Sequence, residues 1–303
     1  MLQQGLKKGL LSGLIACLAF AGPAFARCED YVPQEKPQNT FSQDVGREFD
    51  RILDEGWIEF ALYEDFPPWS YNEGGKVIGV DVEIGKIIAE DLGVEPRFRL
   101  VQADENLDSD LRNYVWKGAT VGGRVSDVML HVPYDSELTC RIEQVMFTGQ
   151  YAAESLAIGY SLTDYPEPDD KPTPAYFRFD TVAVENDSIS DFYLSSIGRG
   201  SVSEAIQRYA TSDAAVAAMV AGETMASMAP LAVIEAGLTE GFDVHRPPLP
   251  GLARKEWTIG IAVNHQHRDL GYAVDYAIEK ALADGRIRAI FEEHGLTYLM
   301  PER

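Results

Sequence analysis

Basic residues are scarce in this chain: 26 lysines and arginines stand against 48 acidic residues, for a formal net charge of −22. Such a field repels nucleic acid and anionic lipid, and it favours a basic protein partner or a cation. Nucleophile and metal signatures are missing as well. There is no GxSxG and no HExxH, which removes the usual serine-hydrolase and zincin patterns. Of the five histidines, His131, His245, His265, His267 and His294, only His265 and His267 lie close, flanking Gln266. A zinc site needs three or four nitrogen or sulfur donors, so this pair does not encode one. No Asp-x-Asp-x-Asp-Gly loop with a closing glutamate appears, which excludes an EF-hand. The cluster Asp104, Glu105, Asp108 and Asp110 reads as a solvated helix face. The chain itself is expected to carry no cofactor and no metal.

Long apolar runs are confined to the beginning. Lys7 and Lys8 precede a 14-residue apolar run, Gly9 to Gly22, and Ala24-Phe25-Ala26 has the small-x-small form of a cleavage site. Residues 1–26 therefore read as a secretory signal peptide, because a span needs about 20 apolar residues. Arg27 before Cys28 is a poor lipobox residue, so lipid anchoring is the weaker alternative. Removing 26 of 303 residues leaves 277, and losing Lys7 and Lys8 takes the charge from −22 to −24. An exported chain of that length suits one or two domains. Cysteine is also rare. Of three, Cys17 leaves with the leader, so Cys28 and Cys140 remain as an even pair in an oxidising compartment. With no CxxC, a structural disulfide between them is the expectation, and a redox or metal pair is the alternative.

The remaining sequence has the rhythm of an α/β protein. WIEFALY, Trp57 to Tyr63, alternates as a strand with Ile58, Phe60 and Leu62 on one face. Pro67-Pro68 stops it. Asp81 is placed to cap a helix carrying Ile84, Ile87, Ile88 and Leu92, which Gly93 ends. Phe98 to Val101 and Val125 to Val132 follow as strands, with a short helix over Leu107 to Trp116 between them. Glu154 to Leu162 reads as a strand leading out of this unit. Thr163 to Tyr176, with four prolines and several acids, is an exposed linker or insertion. The pattern then restarts with strand Thr181 to Val184. Ser201 and Glu204 predict a capping box for a helix through Tyr209. Ser212 is expected to cap a helix over Asp213 to Ala221, Thr224 to Met228 reads as a strand, and Pro230 opens a helix ending at Gly237. WTIGIAV, Trp257 to Val263, is a second crossing strand. Leu270, Ala273, Val274, Ala277, Ile278, Ala281 and Leu282 follow helical spacing, and a last helix holds Ile287, Ile290 and Phe291.

The segments ALYEDFPPWSY, KVIGVDVEIGKIIAEDLGV, CRIEQVMFTGQY, WTIGIAV and LADGRIRAIFEEHGLTY, in this order, resemble the family 3 extracellular solute-binding proteins. The resemblance covers nearly the whole mature chain. It implies an α/β fold of the type II periplasmic binding protein kind, with two lobes joined by two hinge strands. Lobe 1 would be residues 27–153 plus 258–303, and lobe 2 residues 154–257. RNYVWKG, VSDVMLHVPYDSEL and VMFTGQY are further similar to the MxaJ/XoxJ group, periplasmic accessories of bacterial methanol dehydrogenase systems. RCEDYVPQEKPQNT places the chain nearer the XoxJ type, which accompanies lanthanide-dependent enzymes. What this implies is a partner, a PQQ-dependent methanol dehydrogenase with its cytochrome c as a second contact, and a role in activating the enzyme or loading its cofactor.

By the same resemblance Arg141 stands where family 3 receptors grip an α-carboxylate, which suits the planar guanidinium fork. The alternative is a structural arginine paired to Glu143 or Asp135. Small hydroxyl residues before it are replaced by His131, Val132, Pro133 and Tyr134. The acid that receptors offer to the ligand ammonium falls on MASMAPL, Met225 to Leu231, where Ala229 and Pro230 stand instead. An unpaired, desolvated ammonium there costs about 3–5 kcal/mol, so ordinary amino-acid binding is disfavoured. The candidate cleft comprises Tyr63, Glu64, Trp69, Tyr71, His131, Tyr134, Asp135, Arg141 and Met228. Trp69 and Tyr71 are its expected aromatic contacts, and Phe66 is more simply lobe packing. Two other functions remain open. One is an ABC-importer receptor for an amino acid or organic acid held by Arg141. The other is a binding-protein-derived enzyme such as a dehydratase, with Glu64, His131 and Arg141 as acid/base groups. The accessory role is favoured and catalysis is not expected.

Overall fold

A computed structural model describes residues 45–302 apart from 122 and 135. The leader, Cys28 and Asp135 lie outside the described residues. The first part of the chain forms α1 (Phe49–Glu55), β1 (Trp57–Tyr63), β2 (Tyr71–Glu73), β3 (Lys76–Ile78), α2 (Val80–Leu92) and β4 (Glu95–Val101). It continues through α3 (Leu107–Leu111), β5 (Val128–Tyr134), α4 (Ser136–Arg141) and β6 (Val145–Ser161). Next come β7 (Val182–Glu185), α5 (Ile189–Ser196), β8 (Ile206–Tyr209), α6 (Ser212–Val220) and β9 (Ala226–Pro230). The last elements are α7 (Leu231–Gly237), β10 (Phe242–His245), β11 (Glu256–Asn264), α8 (Arg268–Ala283) and α9 (Arg286–Glu293).

The strands join in the order β4-β1-β5-β11-β6-β9-β7-β8, with β10 also paired to β6. In the first half of the sheet β1 runs parallel between β4 and β5. Ile58, Phe60 and Leu62 are fully buried as their alternation requires, but Ala61 on the opposite face is buried too. A central parallel strand is covered on both sides, which the alternation alone understates. α2 and α8 pack over one face, bringing Ile84 and Ile88 against Val274 and Ile278 in the first core. In the second half β7 runs parallel to both β8 and β9 around Ile158, Phe177, Val184, Leu194 and Met228. β6 serves both halves. Its first part pairs with β11 and its second with β9 and β10, all antiparallel.

Several boundaries differ from expectation for identifiable reasons. The crossing strand starts at Val145, nine residues before the predicted Glu154, because β11 pairs with it from Asn264 onward. The helix predicted from Ser201 to Tyr209 is absent. Turns at Gly200 and Val202 lead directly into β8. Parallel β7 and β8 need a crossover between them, and α5 supplies it, capped by Ser188, whose hydroxyl accepts from Asp191 N at 3.2 Å. Thr211 rather than Ser212 caps α6, accepting from Ala214 N at 3.3 Å. Asp81 does not cap α2 either: the helix begins at Val80 and Asp81 is fully buried. The Thr163 to Tyr176 segment has no strand or helix until a 3-10 turn opens at Tyr176, yet it is fastened down. Tyr165 is buried with its hydroxyl donating to Asp180 at 2.8 Å, and His245 Nε2 lies 2.7 Å from the Pro172 carbonyl.

Candidate functional site

The polar centre of the first half is built by two bulges that face each other across β11. On β5, Val132 pairs with Gly260 and Met129 with Ala262, so Leu130 and His131 together oppose Ile261. On β6, Ala152 pairs with Ile259 and Thr148 with Ile261, leaving Gly149, Gln150 and Tyr151 opposite Gly260. Bulges re-aim side chains and are common beside functional sites. Here they turn His131 and Tyr151 towards the N-terminus of α2. His131 takes a φ of +58°, a left-handed conformation costing a histidine about 1–3 kcal/mol that the surrounding structure must supply.

Gly79 brings the third member in. With φ +127°, it lies so close to the preceding loop that a Cβ would come within 2.2 Å of the Trp69 carbonyl oxygen. That contact lets Val80 N and Asp81 N donate to the Pro68 and Trp69 carbonyls at 3.1 and 3.0 Å. The Asp81 carboxylate is thereby set inside the core at the positive end of α2. Tyr151 donates its hydroxyl to Asp81 Oδ1 at 2.6 Å, and the same hydroxyl accepts from His131 N at 3.2 Å. Burial, with the Asp81 carboxylate beside it, pushes the Tyr151 phenol well above its ordinary pKa. The His131 Nδ1 stands 3.2 Å from Asp81 Oδ2. That is close enough for ion pairing but misaligned for a hydrogen bond, and neither atom has another partner among the described residues. The imidazole lies between Phe66 and Trp69, with ring centroids 4.9 and 4.4 Å away. Eleven per cent of the side chain reaches the surface. The arrangement fixes one nearly buried imidazole against a carboxylate in an aromatic niche.

The predicted cleft residues are not brought together as one set. Trp69 is 1% exposed and packs on Phe291, so it belongs to the core rather than to a contact surface. Met228 is likewise 1% exposed, opposite Ile158 in the second core. Tyr63, half-buried, donates to Asp110 Oδ2 at 2.8 Å, and its phenol is driven upward by burial and by that carboxylate. Asp110 is itself buried, and burial raises its pKa. Its other oxygen accepts from Asp104 N at 2.8 Å, so the acidic cluster is partly a buried knot rather than a solvated face. Arg141, half exposed at the end of α4, reaches Asp108 at 2.7 Å, an acid of the kind the alternative reading requires. Glu64 and Tyr71 are half-buried beside the first loop, and Tyr134 closes β5 opposite Thr258. Cys140 is buried on α4.

Sequence reasoning missed Tyr151 and Glu154. Glu154 lies on β6 where the two halves meet. It is buried, with Oε1 accepting from Ser155 N at 2.9 Å and Oε2 without a partner among the described residues. Burial pushes its carboxyl up to about 8. The only sequence signal is a single charged residue in the run Val145 to Ser161.

Known proteins give this geometry a context. Residues 58–115 match the model of the bacterial extracellular solute-binding proteins, family 3. No curated protein matches the sequence. Among solved structures, an ancestral cationic amino acid solute-binding protein is similar at TM-score 0.66 and 18% identity, over 81% of this chain and 98% of that one. An amino acid ABC transporter substrate-binding protein from Streptococcus pneumoniae bound to L-arginine gives TM-score 0.59 and 18% identity over 82% and 98%. A mutant arginine-binding protein from T. maritima gives 0.54 and 21% over 80% and 97%. The fold is therefore the α/β architecture of type II periplasmic binding proteins, as predicted. Among the described residues no helix is long and apolar enough to cross a membrane.

Proposed function

We propose that the chain is a periplasmic, binding-protein-like accessory of a PQQ-dependent, lanthanide-type methanol dehydrogenase, which it binds and helps to activate. The observation that carries this reading is the state of the two charges a zwitterion receptor needs. Arg141 is engaged by Asp108 on a half-exposed surface, and where the resemblance would put the receptors' acid stand Pro230 and Ala229, the latter turned into the core. With neither end of an amino acid met, the cleft rim is free for a protein. Its contacts would be Glu64, Tyr71, the exposed edge of His131, Tyr134 and Asp135, with residues 27–153 and 258–303 forming one lobe and 154–257 the other. The likeness of RNYVWKG, VSDVMLHVPYDSEL and VMFTGQY to accessory proteins supports the choice of partner. Calorimetry with purified dehydrogenase, apo and holo, is expected to show binding to at least one form. Absence of heat with both would overturn the proposal.

Structures of arginine-bound proteins among the similar folds favour a receptor as the second reading. It predicts a thermal shift with arginine or an organic acid that Arg141→Ala abolishes, and the accessory role predicts no shift. A Cys28–Cys140 disulfide is part of the same proposal. Mass spectrometry of the exported protein should find neither thiol free.

A further inference from the structure

We propose that a groove on the second half of the molecule, beside the exposed ring of Phe179, is a docking site for a basic segment of a partner protein. The groove is about 330 Å³ and is floored by Tyr165, Tyr176 and Met225. Phe179 stands on its rim with 91% of its surface in solvent. A phenylalanine can bury 150–250 Å², and here nearly all of that area is held outward at the end of a short helical turn, Tyr176–Arg178. The turn that carries the ring is anchored on both sides. Phe177 is buried in the core, and Tyr165 donates to Asp180 at 2.8 Å immediately after it.

Charge selects the occupant. Four carboxylates line the groove, those of Asp164, Glu167, Asp170 and Asp180, and no basic side chain does. Tyr176 engages Asp170 and Tyr165 engages Asp180. Among the described residues no cation pairs with Asp164 or Glu167. The nearby Lys171 turns away to Asp243, at 3.3 Å. An apolar anchor beside unpaired carboxylates and tyrosine faces matches a lysine or arginine flanked by apolar residues, since the rings attract the cation and the acids pair with it. The strongly negative net charge draws such a partner in from solution. This inference rests on the reading of the chain as one that docks a protein, but it assigns a different surface from the cleft rim.

The test uses the intact exported protein and a fluorescein-labelled peptide of alternating lysine and leucine, read by fluorescence anisotropy. Lysine–serine and glutamate–leucine peptides serve as comparisons. Phe179→Ser and the double variant Asp164→Lys, Glu167→Lys are each expected to weaken the lysine–leucine peptide at least tenfold with unchanged melting curves. The lysine–serine peptide should bind more weakly and the glutamate–leucine peptide not at all. Equal binding by Phe179→Ser and wild type would overturn the proposal. So would equal weakening by Glu292→Lys on α9, which would reduce the effect to net charge, or full displacement by spermine, which would make the site one for small polyamines. Because the dehydrogenase is absent from this assay, failure here together with dehydrogenase binding in calorimetry would reject the groove and leave the accessory role standing.

Discussion

The two halves of the sheet differ in where they gather their polar groups. The first half takes them inside: Asp81, Tyr151 and His131 form one buried set, Tyr63 and Asp110 another, and Asp127 receives Glu59 N at 2.8 Å beneath Arg47. The second half packs apolar residues around Met228, Ala229 and Ile234, ties its buried Asp191 to Arg208 at 2.8 Å, and carries other acids and an exposed Phe179 on the outside. Buried polar sets hold a single geometry because each lost partner leaves a desolvated group. An apolar interior with a charged exterior leaves the surface free to be matched to a partner. The first half is the fixed reference, and the second offers itself outward.

Four measurements can break or sharpen that contrast. Trp69→Ala should cost about 3–5 kcal/mol in urea unfolding, because the indole fills the first core against Phe291 and His131. A loss below about 1 kcal/mol would mean that Trp69 is not a core residue. Glu154 makes stability depend on pH. Burial pushes its folded carboxyl up to about 8, above the ordinary 4.5, so the folded state holds the proton more tightly. The contribution is complete below pH 4.5 and is lost as pH rises towards about 8, a change of a few kcal/mol. Glu154→Gln should flatten this part of the stability–pH curve, and an unchanged slope would assign it to another group. Tyr151→Phe removes the hydroxyl that serves Asp81 and should cost about 2 kcal/mol, measured by thermal unfolding at pH 7. Phe179→Ser should change stability by no more than about 0.5 kcal/mol, as expected for an exposed position. A larger loss would place the ring in the fold rather than at an interface.

Periodicity carried the fold wherever burial alone decided the element. β1, β11 and α8 match their predicted spans closely because their apolar residues are buried along the whole element. It failed where a local signature competed with a distant pairing. Ser201 and Glu204 resemble a helix start, but β7 claims Ile206 to Tyr209 as a parallel neighbour. The site was less legible for a related reason. His131 lies in an alternating run that reads as plain strand, and the bulge giving it a positive φ depends on its register with β11. Asp81 looks like a cap until the contact of Gly79 with the Trp69 carbonyl moves the cap two residues earlier, to Gly79. Trp69 beside its Pro-Pro turn and Met228 in its matched segment both read as cleft residues, and only packing turns them inward.

β6 has one further consequence. Its 17 residues are bordered by β11 at one end and by β9 and β10 at the other, so melting either end strips the cover from a rod that the other end still needs. Heat should then consume the molecule in one calorimetric peak, with equal van't Hoff and measured enthalpies, even though its apolar residues are divided between separate cores.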